Sequence, residues 1–292
     1  MLKKKLIYHE VRGYVSDYDP KVNPSILDEH ATAAFRHFHT LIRGFLRLLA
    51  ENRICLDAVR LSDWFNKPKL LEQDDKFDKL TRGLTAQAMD GSDQYLTSEV
   101  TQYLFKRDRE YGDDLRAIDI QRGRDHGLSS YTKTREACGL TVPKTFDEME
   151  DIPKKSLHIM KTLYKAPEDV DLMVGGALER HVKGALVGPT FLCIMLEQFH
   201  RTRVGDRYFY ENGGDPTTAF TIDQLEAIRK NASMARLLCD NADGVKRMQP
   251  NAFSLISPSN MLTPCEMIPG VDLSPWKETS DKTYHEKSSH RK

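Results

Sequence analysis

From Asp28 to Ala50 the sequence places apolar residues at 34, 38, 41, 45 and 48, and again at 35, 42, 46 and 49. That spacing predicts one long amphipathic helix with Asp28 as its N-cap. At 100° per residue, Phe35, Ile42 and Leu46 fall within about 20° of one direction. His39 lies about 40° from Phe35, and Arg43 and Arg36 follow at about 80° and 100°. An imidazole at the border between an apolar stripe and two cations is the setting that a buried metal-bound planar ligand with anionic side groups requires. His37 points about 160° away from His39, so His37-Phe38-His39 does not chelate one ion from a helix. A lone histidine on the edge of an apolar face is more commonly a satisfied boundary residue, and spacing alone does not make His39 a ligand.

Composition removes several classes of function. The 43 basic and 43 acidic residues among 292 cancel, which gives no electrostatic case for nucleic acid or an anionic membrane surface. No apolar run approaches the roughly 18–20 residues of a membrane span; Phe191–Leu196 is far shorter and reads as a buried helix segment. The start Met1-Leu-Lys-Lys-Lys-Leu-Ile-Tyr is basic, but Tyr8-His9-Glu10 interrupts it before a secretory apolar region forms. Five cysteines (55, 138, 193, 239 and 265) form no CxxC, which argues against a zinc finger. They are either scattered reduced thiols or two widely spaced disulfides with one left over. Without a leader, composition favours thiols.

Further helices are expected over about Lys69–Ala88, Thr97–Tyr111, Lys154–Tyr164 and 190–203, the last opened by Gly188-Pro189. Thr221 with Gln224 forms a capping-box signal for a helix to about Asn231. Leu115–Gly127 carries five charged side chains plus His126 among few apolar ones. It reads as a solvated loop or as a buried, cross-linked turn. Gly175-Gly176 lacks the strand-then-helix phosphate fingerprint, so nucleotide binding is not indicated. No strand-rich zone and no internal repeat appear. The chain divides into a leader of unclear structure to residue 18, a body over 19–278 and a disordered polar tail from 279. The expected fold class is mainly α.

Several segments together resemble the animal haem peroxidase family. They are Ala34–Ile42, Leu115–Leu128, Asp171–Glu179, Gly188–Ile194 with Gln198-Phe199, Gly205–Glu211 and Leu238–Asn241. The resemblance spans about Tyr18 to Trp276 and implies a multi-helix peroxidase fold. It puts His39 in the place of the axial ligand to the iron of a b-type haem. Asp119 falls where the family has the residue that accepts a hydrogen bond from the ligand's other ring nitrogen. A carboxylate there gives the imidazole more imidazolate character than an amide does, lowering the iron's reduction potential. Arg36 and Arg122 match arginines beside the haem propionates, and Phe105, Leu115 and Ile118 match apolar positions lining the pocket. Asp125 and His126 look structural. Cys138–Cys193 and Cys239–Cys265 fall where the family forms disulfides, which implies an extracellular, oxidising destination and leaves Cys55 without a partner.

The family's distal histidine, distal arginine, calcium loop and haem-esterifying acids all precede the proximal histidine. Only 38 residues precede His39, and none reads as those elements. The expectation is therefore a piece resembling the C-terminal half of the domain, without the calcium site, the fold being incomplete on its N-terminal side. The function implied is hydrogen peroxide-driven oxidation of a small donor, within a response to oxidative stress. The chain alone would have little activity, and its partner would be a missing N-terminal half. Two other readings stand beside this one: a non-catalytic haem-binding or adhesion protein on a decayed peroxidase fold, and a helical zinc protein using His30 and His37.

Overall fold

A computed structural model describes residues 13–277. It is mainly helical, as expected, with two small antiparallel sheets that sequence periodicity did not announce. The expected polar tail from 279 lies outside the described residues. The end of the expected leader does not hang free: Val15 is buried, and its amide donates to the Glu211 carbonyl at 2.9 Å.

The long helix expected over Asp28–Ala50 is corrected most. Helical backbone begins at Asp28 but passes through a π turn, His30–Ala34, into a 3₁₀ stretch, Phe35–Leu41, and stops there. Its inward residues are small or polar: Ala33, Ala34, His37 and Thr40 are buried, whereas Phe35 is 51% exposed. Asp28 does not cap this segment; its carboxylate pairs with His126 Nδ1 at 3.1 Å. Gly44 marks the break, because a Cβ there would sit 2.5 Å from Thr97 Oγ1 and 2.9 Å from Glu99 Cγ. The chain then runs into β1 (Phe45–Leu49), paired antiparallel with β2 (Cys55–Arg60). Apolar residues at 45, 46, 48 and 49 fit a helix stripe, but the partner strand supplies a ladder that local periodicity cannot show.

α1 (Lys76–Ala86) packs on β1, shorter than the expected Lys69–Ala88 because Pro68–Leu70 is a separate 3₁₀ turn and Asp74, at positive φ, breaks the backbone before Lys76. Where Thr97–Tyr111 is expected to be one helix, only α2 (Ser98–Thr101) forms. The rest is a loop with Phe105 and Arg107 at positive φ, closed by an isolated bridge between Leu104 and Asp113. The charged stretch is neither loop nor turn. It is α3 (Leu115–Asp125), capped by the Asp114 carboxylate, which accepts from the amides of Arg116 and Ala117. α4 (Tyr131–Ala137), α5 (Lys154–Leu163) and α6 (Leu172–Leu178) follow. α7 is Pro189–Val204, close to the expected bounds, and α8 (Ile222–Asn231) carries the reciprocal Thr221/Gln224 capping box. α9 (Met234–Asn241) precedes the short pair β3 (Arg247–Met248) and β4 (Thr263–Pro264).

The core that positions the site lies between the His30–Leu41 segment, α6 and α7, around Ala33, Ala34, Met173, Phe191 and Ile194. Gly175-Gly176 serves this packing. A Cβ on Gly175 would meet the Tyr131 ring at 2.3 Å, and one on Gly176 the Phe191 ring at 2.3 Å. Such close approach leaves room for hydrogen only, which accounts for the glycine pair without any phosphate. Disulfides join Cys138 to Cys193 and Cys239 to Cys265, and Cys55 is free and exposed. The pairing implied by the resemblance holds, and the reduced-thiol reading from composition does not.

Candidate functional site

His39 sits in the 3₁₀ stretch, and α3 passes beside that stretch and the π turn before it. Its Nδ1 lies 2.9 Å from Asp119 Oδ2, across 80 residues of sequence. Asp119 is fully buried. A carboxylate facing a ring nitrogen accepts its proton, which assigns the Nδ1–H tautomer and leaves Nε2 with its lone pair outward. Nε2 has no hydrogen-bond partner among the described residues, and the His39 side chain is 27% exposed. The second carboxylate oxygen, Asp119 Oδ1, is buried without a hydrogen bond. Its nearest cation is Arg36 Nη1 at 3.8 Å, while Arg36 Nε donates to the Ala31 carbonyl at 2.9 Å.

The helical form of residues 115–125 organises the remainder. Leu115, Ile118, Asp119 and Arg122 follow the i, i+3, i+4, i+7 spacing and share one stripe. That stripe faces the His39 side, because Asp119 belongs to it. Arg122 is exposed, with no ion-pair partner among the described residues. The opposite side of α3 is spent on the fold. There Arg124 grips Asp171 with two bonds, at 2.9 and 2.7 Å, while Arg116, on the flank of the stripe about 60° from Asp119, donates from Nη1 to Met173 Sδ at 3.0 Å. An open apolar cleft of about 440 Å³, lined by Arg116, Ile120, Ile159, Leu163, Val174 and Ala177, lies on that other side and takes no wall from His39 or Asp119.

Other expected residues are placed differently. Arg43 leaves the cationic border and ion-pairs with Asp90. Phe105 is 42% exposed, and its ring packs against Phe65, with centroids 5.3 Å apart, rather than against His39. His126 and Asp125 are structural in contact: His126 with Asp28, and Asp125 accepting from Gln121 at 2.8 Å. His37 is buried; its Nε2 lies 3.2 Å from Ser92 Oγ, which donates to the Leu186 carbonyl. Burial, with Arg116 and His181 adding repulsion, pulls the His37 pKa down to about 4. Among the described residues no group of three or more His, Cys, Asp or Glu side chains could hold a metal ion, which removes the support for a zinc site at His30 and His37. Sequence reading missed Asp90, Ser92 and Arg116, whose roles depend on contacts between distant segments.

The sequence matches the animal haem peroxidase family over residues 1–253. The chain belongs to that family. It is 54% identical over 278 residues to a Drosophila melanogaster protein named "Peroxidase", covering 94% of this chain and 40% of that protein. It is 38% identical over 272 residues to the human peroxidasin homolog, covering 91% of this chain and 18% of the relative. Among solved structures it resembles peroxidase A from Dictyostelium discoideum, at TM-score 0.70 and 29% identity, covering 82% of this chain and 45% of that one. Rice fatty acid alpha-dioxygenase shares the fold at TM-score 0.62 and 21% identity, covering 79% and 40%. The chain thus spans less than half of each of these proteins.

Proposed function

We propose that this chain is the proximal, C-terminal part of a haem-dependent peroxidase, with His39 as the axial ligand of a b-type haem. The observation that carries the reading is the His39 Nδ1–Asp119 Oδ2 contact at 2.9 Å, with Asp119 wholly buried and His39 Nε2 left without a partner among the described residues. The residues fit the group. One ring nitrogen is held from behind, the other is open, and two guanidinium groups, Arg36 on the ligand's own stretch and Arg122 on α3, are available for a carboxylate. Bound haem supplies the redox chemistry that reduces hydrogen peroxide and oxidises a small donor.

The chain's own residues prepare that chemistry. Asp119 holds the imidazole in one tautomer and orientation, and its charge draws the Nδ1 proton, which raises the basicity of Nε2. Ligand basicity lowers the iron's reduction potential. Arg36 and Arg122 would bind the haem's carboxylates, since a planar guanidinium takes two oxygens at once. Leu115 and Ile118, on the Asp119 stripe, would wall the ring, whereas Phe105, packed on Phe65, is not assigned to it. The general acid–base and the distal cation are assigned to the part of the domain that the relatives carry and this chain does not span. The two disulfides and the family support an extracellular destination.

Mixing the haemin-loaded chain with hydrogen peroxide tests this division of labour. Positioned acid–base catalysis contributes about 10²–10⁴-fold. The chain should therefore consume peroxide slower than a full-length relative by at least that factor. Equal turnover would show that the distal groups lie within this chain.

A further inference from the structure

We propose that Asn231 is an acceptor for an N-linked glycan, and that the first sugars lie over the groove between α9 and residues 270–273. Asn231-Ala232-Ser233 is an Asn-x-Ser triplet; the one other Asn-x-Ser/Thr triplet, Asn23-Pro24-Ser25, is disqualified by its proline. The structure places the triplet at the exit of a helix. Asn231 is the last residue of α8, and the next two residues are extended, at φ −74°, ψ 94° and φ −125°, ψ 147°. The Asn231 side-chain amide makes no hydrogen bond among the described residues, so the fold loses nothing when Nδ2 is substituted. Ser233 Oγ accepts from the Arg236 amide at 3.1 Å and caps α9.

The neighbouring surface suits a sugar. Asn231, Ala232, Met234 and Leu237 line one side of an open groove of about 690 Å³, with Val271 and Leu273 on the other. Leu237 is 54% and Leu273 69% exposed, an apolar floor beside a polar rim of Arg236 and Asp240. A hexose ring is apolar on its faces and polar at its edge, which matches floor and rim. Substitution is by the ordinary transfer from a polyprenyl-pyrophosphate oligosaccharide. Nδ2 bonds to the anomeric carbon and loses a proton, and the anomeric carbon–phosphate oxygen bond breaks, releasing the polyprenyl pyrophosphate. This inference rests on the extracellular reading, since that donor is met only in the secretory pathway.

The full chain, secreted behind a supplied leader from eukaryotic cells, is treated with peptide-N-glycosidase and mapped by mass spectrometry. Expected is a single downward mobility step and conversion of residue 231 from Asn to Asp. Asn231→Gln and Ser233→Ala should lack the step, and Ser233→Thr should keep it. Protein secreted with both disulfides formed but unmodified at 231 overturns the glycan and leaves the extracellular reading intact. Protein with free thiols at 138, 193, 239 and 265 overturns both. Removal of the glycan should also raise binding of an apolar dye, an increase that Leu237→Ser reduces; dye binding unaffected by the glycan overturns the assignment of the groove.

Discussion

Replacing Asp119 by Asn separates what this residue does for the fold from what it does for His39. The buried carboxylate has one hydrogen bond, from His39, and one oxygen with none, 3.8 Å from Arg36. A buried charged acceptor without a partner costs at least about 1–3 kcal/mol, and the amide removes that charge. Against this, the His39 bond falls from the charge-assisted range of about 1.5–3 kcal/mol to the neutral range of about 0.5–1.5. The Arg36 attraction, one-third exposed on the arginine side, adds at most about 1 kcal/mol. These terms nearly cancel, so urea unfolding of the haem-free chain should shift by less than about 2 kcal/mol. The imidazole, however, loses its anionic support, and a change of this kind typically lowers affinity or activity about 10–100-fold. Haemin titration followed by the Soret band should show a loss of that size. Unchanged haemin affinity, or a fold weakened by more than about 3 kcal/mol, would refute the reasoning.

Other expectations follow from buried groups outside the His39–Asp119 pair. His37, whose pKa is pulled from the ordinary 6.5 to about 4, is neutral in the folded chain. The unfolded chain binds the extra proton between those values, so its contribution is complete above about pH 6.5 and is lost as pH falls toward 4, by about 3 kcal/mol in all. Unfolding midpoints measured from pH 7 to 4.5 should fall less steeply in His37→Gln. Glu179 accepts from Tyr131, Arg135, Thr190 Oγ1 and the Thr190 amide within a buried cluster. Glu179→Ala strands the Arg135 charge and should cost about 3–5 kcal/mol in denaturant titrations. A cost below about 1 kcal/mol would mean that Asp151, also paired with Arg135, carries the compensation alone.

Local signals were enough for α5, α7 and α8. The Pro189 start and the Thr221/Gln224 box act within a few residues, and the structure shows both. α3 is not legible locally because three of its charged residues take partners far away in sequence: Asp119 with His39, Arg124 with Asp171 and Arg116 with Met173. No hydrophobic stripe remains to announce it. The opposite error arose at β1, where apolar spacing suited a helix and only the pairing with β2, together with the crowding at Gly44, decided for a strand. On the helical wheel His39 lies beside Arg36, but Asp119, 80 residues away, is beyond any local pattern. The resemblance to a family carries that link, and it also implies the cysteine pairing, which spacing leaves open.

Axial ligation through position 39 is tested most directly by adding haemin to the wild-type chain and to His39→Ala, and reading the Soret band with and without added imidazole. The account predicts a red-shifted band in the wild type, its loss in His39→Ala, and its recovery when free imidazole is supplied to the variant. A His39→Ala chain whose haemin spectrum matches the wild type without imidazole would contradict it.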